Sequence, residues 1–103
     1  EHRVAGAESN AYLVLSAILS GIHYGLVNKI SPSEFRIDNA CTDPDPKMPK
    51  NIEKAIELFE NSKFCSDYYT EEYVKMFSDL KRKEIEAFKA EISDIEYKWY
   101  LNL

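Results

Sequence analysis

The chain opens on Glu1-His2-Arg3, the part of the sequence where chemistry is easiest to imagine. On a strand, side chains two apart share a face, so Glu1 and Arg3 would point one way and His2 the other. A carboxylate suits hard cations such as magnesium, and a guanidinium pairs with a carboxylate or phosphate through two parallel hydrogen bonds. On spacing alone such a pair is far more often ordinary surface. The remaining reactive types are sparse. His23 lies in a helical stretch with no nucleophile or carboxylate pattern beside it. Cys41 and Cys65 show no zinc spacing and read as two free thiols of a reducing cytosol, although sequence leaves a disulfide open. Tyr97, Trp99 and Tyr100 read as packing residues rather than as a ligand cage. The sequence has no Gly-rich phosphate loop and no Ser/His/Asp set.

The elements that would carry these residues are helical. With 103 residues, 45% of them apolar and 30% charged, one soluble, globular domain is expected. Residues 1–7 read as the end of a strand followed by a turn at Gly6, and 8–103 as helical. The first helix is expected from about Ser9 to Ile30, with Ser9 or Asn10 as N-cap. Its apolar residues cover nearly the whole circumference of the first half, which should therefore be buried on most sides. Gly21 and Gly25, four apart, would let another backbone approach.

Ser31 to Lys50 carries all four prolines and reads as a long loop, a kind of segment that is usually functional or mobile. The second helix is expected over Asn51–Asn61, with Ile52, Ala55, Ile56 and Phe59 on one stripe. A short turn should follow around Phe64–Tyr68. The third helix should begin after Thr70 and reach Ile92, with Tyr73, Val74, Phe77, Leu80, Ile85, Phe88 and Ile92 on its core face. Ser93-Asp94-Ile95-Glu96 fits a capping box that would start a last short helix through Trp99 or Tyr100.

The net charge of −5 disfavours nucleic acid and anionic membranes as partners, and Lys81-Arg82-Lys83, flanked by acids, reads as a solvated helix face. The most apolar run, Ala11–Leu19, is too short to span a membrane.

Two segments resemble the glutamine synthetase family. Glu1-His2-Arg3-Val4-Ala5-Gly6-Ala7-Glu8-Ser9-Asn10-Ala11-Tyr12-Leu13 is similar to the family's Glu-x-Arg, a short turn, then Ala-x-x-Asn-Pro-Tyr-Leu opening a helix. Leu80 to Phe88, with Asp94 to Leu101 after it, resembles the family's C-terminal Lys-Arg-x-Glu, a phenylalanine, then Glu-x-x-x-Tyr-Leu. The wording His-Arg-Val-Ala-Gly-Ala looks closer to the branch that includes gamma-glutamyl-polyamine synthetases than to the classical bacterial nitrogen-assimilation enzymes. Ala11 departs from the pattern, which has proline there; proline is favoured but not required in the first turn.

The resemblance implies the helical C-terminal quarter of an α+β catalytic domain, and a chain that opens mid-motif without methionine is read as a piece of a longer protein. It implies an ATP-dependent ligase with magnesium or manganese that converts glutamate to gamma-glutamyl phosphate, which ammonia or an amine then attacks. Glu1 would be a metal ligand and Arg3 a substrate-side cation. The parent would be a cytoplasmic, high-order homo-oligomer, and the piece alone would be inactive and bind no cofactor. The competing readings are a stand-alone acidic helical interaction module and a non-catalytic family member.

Overall fold

A computed structural model of the chain describes residues 4–35, 37, 39, 42 and 45–101. The chain divides into two units, 1–43 and 44–103. Mostly helical architecture is as expected: the described residues contain five helices and no strand. They are α1 (Ala11–Val27), α2 (Ile52–Glu60), α3 (Lys63–Tyr69), α4 (Glu71–Ala90) and α5 (Asp94–Tyr100).

In the first unit a turn closes with the Ser9 N–H donating to the Gly6 carbonyl at 3.1 Å. Val4–Ala7 are not in a strand, and residues 1–3 lie outside the described residues. Asn10 caps α1, its Oδ1 accepting from the Tyr12 and Leu13 N–H groups at 3.0 and 3.2 Å. The helix ends three residues before the expected Ile30. Lys29 adopts a left-handed φ of 50°, its N–H bonds the Leu26 carbonyl, and the Ile30 N–H reaches back to Gly25. This is a Schellman stop built on lysine in place of glycine, and the chain then runs into Ser31-Pro32, where helix is disfavoured. The expectation that α1 is buried on most sides is not met, because no α1 residue is buried. Among the described residues its own unit has no other helix or strand for its apolar side chains to lie against. Nothing lies within 4 Å of a Cβ added at Gly21 or Gly25, so the backbone approach expected there is also absent among the described residues.

Between α1 and α2 the described residues form turns. Thr42 donates to the Asn39 carbonyl through both its N–H and its hydroxyl, and the Asp45 carboxylate accepts from the Lys47 N–H. The expectation of a mobile loop falls partly on residues 36, 38, 40, 41, 43 and 44, outside the described residues.

The second unit is a three-helix packing of α2, α3 and α4. Asn51 caps α2 as expected, accepting from the Lys54 N–H at 2.8 Å. Where a turn was expected at Phe64–Tyr68 there is instead a helix, α3. Ser62 caps it by accepting from the Cys65 N–H, and Lys63 pairs with Asp67 one turn on at 2.8 Å. Seven residues are too few to display a helical period, which is why the pattern was read as a turn.

Thr70 is both the last cap of α3 and the first cap of α4, with its hydroxyl accepting from the Tyr73 N–H at 3.3 Å. Its φ of 70° and ψ of 149° fall in a region that is nearly the preserve of glycine. α3 ends and α4 begins on this one residue.

Two ion pairs fix the direction of α4 against α2. Arg82 pairs with Glu60, and Lys89 with Glu53 at 2.7 Å. Both partners step by seven residues in opposite senses, so the helices are antiparallel. The most buried side chains are Ile56, between the two acids on α2, and Val74 and Ser78, in the turns of α4 that precede Arg82. Phe59 of α2 meets Phe77 edge-on at 5.6 Å and Tyr69 at 6.5 Å. Tyr69 continues to Tyr73, and Tyr73 stacks on Phe77, both at 5.9 Å.

The expected core face of α4 is right for Val74 and partly right for Tyr73, Phe77 and Ile85, which are half-buried. It is wrong for Leu80, Phe88 and Ile92, which are exposed at 51%, 82% and 63%. The inward stripe is Val74, Ser78, Lys81 and Ile85, in which a serine and a lysine stem hold core positions. Leu80 lies off that stripe. Phe88 sits level with the first turn of α2, and Ile92 lies past the end of α4. The capping box that opens α5 forms as expected: Ser93 accepts from the Glu96 N–H, and Glu96 accepts from the Ser93 N–H at 2.8 Å.

The Ser78 hydroxyl is fully buried with no hydrogen-bond partner. Such a group costs about 1–3 kcal/mol. Ser78→Ala is expected to raise stability by ~1 kcal/mol, and Ser78→Leu to lower it by ~1–3 kcal/mol through overpacking, as read from urea melts. At Thr70, alanine removes the cap and keeps the strain, so Thr70→Ala should cost ~1 kcal/mol. Thr70→Gly relieves the strain and gives up only a few tenths as a cap, so its melting temperature should lie above that of the parent chain.

Candidate functional site

The two residues with assigned roles, Glu1 and Arg3, lie outside the described residues, as do His2 and Cys41. What the structure does describe is the remainder of the opening motif and how it is held. Val4 is 72% exposed, and the Gly6–Ser9 turn delivers the chain to Asn10. The asparagine of the Ala-x-x-Asn-x-Tyr-Leu pattern is the N-cap of α1, and the tyrosine and leucine are the residues whose N–H groups it binds. Ala11, where the family pattern has proline, is the first helical residue, the one position at which proline's missing N–H would go unnoticed. The described part of the opening motif is thus a device for starting a helix.

The second motif sits on α4. Lys81 pairs with Glu84 at 2.7 Å, and its ammonium lies 5.5 Å from the Phe77 ring centre. Arg82 holds Glu60 of α2. Lys81-Arg82-Lys83 is therefore partly structural, with two of its three cations engaged in ion pairs. That internal role was not foreseen; the acidic residues on α2's polar face were the available signal. Tyr97, Trp99 and Tyr100, expected to pack, are 49%, 66% and 67% exposed on α5, which has no buried residue. They form neither a core nor a cage among the described residues. His23 is exposed on α1. Cys65 is a free, half-buried thiol on α3.

Among the described residues no group of three or more His, Cys, Asp or Glu side chains could hold a metal ion. A single carboxylate such as Glu1 does not make a divalent-metal site, so the described residues do not form a metal centre. No described helix is long and apolar enough to cross a membrane.

Comparison with known proteins places the chain. The family model of the glutamine synthetase catalytic domain matches residues 1–100, and the chain belongs to that family. It is 31% identical to a glutamate–isopropylamine ligase of a Pseudomonas species over all of its own length and 23% of the relative's. It is 31% identical to the gamma-glutamylputrescine synthetase of Escherichia coli K12, over 98% of this chain and 21% of that protein. A glutamine synthetase of Aquifex aeolicus is 30% identical, over 100% of this chain and 24% of the relative. The chain thus spans between a fifth and a quarter of the length of these relatives. No solved structure matches significantly.

Two carboxylates in the second unit are held below their ordinary value of 4.5. A hydrogen bond from Lys89 lowers Glu53, and bonds from the Ser93 backbone and hydroxyl lower Glu96. The unfolded chain then takes up these protons at higher pH than the folded one. The stabilisation is complete above the unfolded value and is lost as pH falls through the lower folded values. Thermal melts should therefore be flat from about pH 6 to 8 and drop below about pH 5. Glu53→Gln and Glu96→Gln should each shrink that acid-side drop.

Proposed function

We propose that this chain is the helical C-terminal section of the catalytic domain of an ATP-dependent ligase that joins the gamma-carboxylate of glutamate to ammonia or an amine. The observation that carries the reading is the family match across residues 1–100, together with relatives named glutamate–isopropylamine ligase, gamma-glutamylputrescine synthetase and glutamine synthetase.

In this reading the glutamate carboxylate attacks the terminal phosphate of ATP, giving gamma-glutamyl phosphate and ADP. The amine then attacks the acyl carbon and expels phosphate. Arg3 would face the glutamate carboxylate or the transferring phosphoryl group, where a fork of donors stabilises charge that builds up in flight. Glu1 would supply one carboxylate to a magnesium or manganese site completed elsewhere in the domain. The Asn10-capped start of α1 would hold the Glu1–Arg3 segment in place. The parent would act as a cytoplasmic homo-oligomer.

The physical support from the second observation, α1, is indirect. A helix whose first half is apolar on nearly all sides is characteristic of a buried element, and α1 has none of its described residues buried. Enclosure by the rest of a larger catalytic domain accounts for that mismatch; a stand-alone interaction module does not.

The test compares the 103-residue chain with the product of its complete reading frame. The chain alone should neither hydrolyse ATP nor form glutamine. The complete protein, given glutamate, ATP, magnesium and in turn ammonia, putrescine or isopropylamine, should release phosphate and form the matching gamma-glutamyl amide. In it, Arg3→Lys should lower kcat/KM by about a hundredfold or more, because a lysine cannot reproduce the two-pronged contact. A complete protein that is folded yet forms no amide with any acceptor would sink the ligase reading and leave a non-catalytic family member.

A further inference from the structure

α4 carries a second face that its own unit leaves uncovered. Opposite the stripe that packs on α2 runs a shallow groove lined by Glu72, Lys75, Met76, Asp79, Leu80 and Lys83. Met76 and Leu80 form its apolar floor and are 58% and 51% exposed. Four charges border them, and along the helix their signs run minus, plus, minus, plus.

That order has a particular symmetry. Reversed end for end, it becomes plus, minus, plus, minus. If a second α4 lies antiparallel across the first, every bordering charge meets its opposite: Glu72 faces Lys83 of the other copy, and Lys75 faces Asp79. The midpoints agree as well. Glu72 and Lys83 are centred between residues 77 and 78, Lys75 and Asp79 on 77, and Met76 and Leu80 on 78. With a rise of about 1.5 Å per residue, a single two-fold axis satisfies all three sets within one residue. Leu80 of each copy then lies over Met76 of the other.

The state of the charges fits this arrangement. Of the five cations on α4, Lys75, Lys81, Arg82 and Lys89 are in ion pairs within the chain. Among the described residues Lys83 is the one cation of α4 in no ion pair, and Glu72, its counterpart under the reversal, is in none either.

We propose that this face of α4 is a self-complementary docking surface for a second copy of the chain, with α4 pairing antiparallel about a two-fold axis near residues 77–78. An isologous contact requires a surface complementary to itself, and an antisymmetric row of charges around an apolar centre meets that requirement. The proposal does not depend on the ligase reading. One helix face makes a small interface, so the association is weak and is best followed at high protein concentration.

Sedimentation equilibrium and size-exclusion light scattering of the chain should show a concentration-dependent monomer–dimer equilibrium that weakens with added salt. Glu72 and Lys83 are eleven residues apart and do not touch within one helix, which makes them the clean pair to exchange. Glu72→Lys alone, or Lys83→Glu alone, puts like charges opposite each other twice per dimer and should weaken dimerisation about tenfold. The double exchange should restore it. Mixing the two single variants should yield a heterodimer tighter than either variant forms with itself, detectable with a fluorescent label on one of them. A monomeric parent chain, or an association that the single variants leave unchanged, would overturn the proposal. So would loss in the singles without recovery in the double variant or the mixture. Circular dichroism of each variant confirms that α4 is intact, and Glu72→Gln with Lys83→Gln serves as a neutral pair, expected to fall between the parent and the single exchanges.

Discussion

The second unit depends on how closely its neighbours can approach the inward face of α4. Ser78 is small and has no exposed surface, and with Val74 on the same stripe and Ile56 of α2 it makes up the buried centre of the unit. The cost is a buried hydroxyl without a partner. The two ion pairs at the rim add little stability at their exposure, but they decide register. Sliding α4 by one residue would separate Arg82 from Glu60 and Lys89 from Glu53 together. Burial drives the contact, and charge selects one alignment of it.

α3 is too short to stand by itself, since isolated helices of fewer than about 12–15 residues are marginal in water. Its order comes from both ends and one face. Ser62 supplies the start, Thr70 the stop, and Tyr69 joins the aromatic row through Phe59 and Tyr73. Thr70 must serve two helices at once, so its backbone is held where both caps can be made instead of where threonine is most comfortable. Phe59, in ring contact with Tyr69 of α3 and Phe77 of α4, and Tyr69, in ring contact with Phe59 of α2 and Tyr73 of α4, each join all three helices.

How much of this could be read from the sequence differs by element. The caps were legible, because Asn51, Asn10 and the Ser93–Glu96 pair carry their chemistry in single residues at fixed offsets. The existence of α1, α2, α4 and α5 was legible from period and caps. α3 was not, for want of length, and neither was the early stop of α1, which rests on Lys29 taking a conformation normally left to glycine. The core face of α4 was only half legible. Pattern reading assigns leucine and phenylalanine to the inside, but the packed stripe uses Ser78 and the stem of Lys81, whose ammonium lies by the Phe77 ring. Which apolar residues are covered depends on how far α2 reaches, and no periodicity in α4 encodes the length of its neighbour. As for the candidate site, its motif was legible only through resemblance; Glu1 and Arg3 carry no signal of their own, and they lie outside the described residues.

The two units differ in a way that bears on what the sequence is built for. α2, α3 and α4 cover part of their apolar residues with one another, and two ion pairs join α2 to α4. Among the described residues α1 has no such cover. Tyr12, Leu15, Leu19, Ile22, Leu26 and Val27 are each more than half exposed, and the helix carries no acid in its first turn and no base in its last. A helix designed to face water would have used those positions for charges that complement its dipole. The absence of charge along all seventeen residues means that no face was reserved for solvent, so its surroundings have to be apolar on more than one side. One added helix would cover a stripe; covering the circumference takes an enclosing structure. That demand fits a chain that belongs to the glutamine synthetase catalytic-domain family and spans less than a quarter of the length of the relatives it matches.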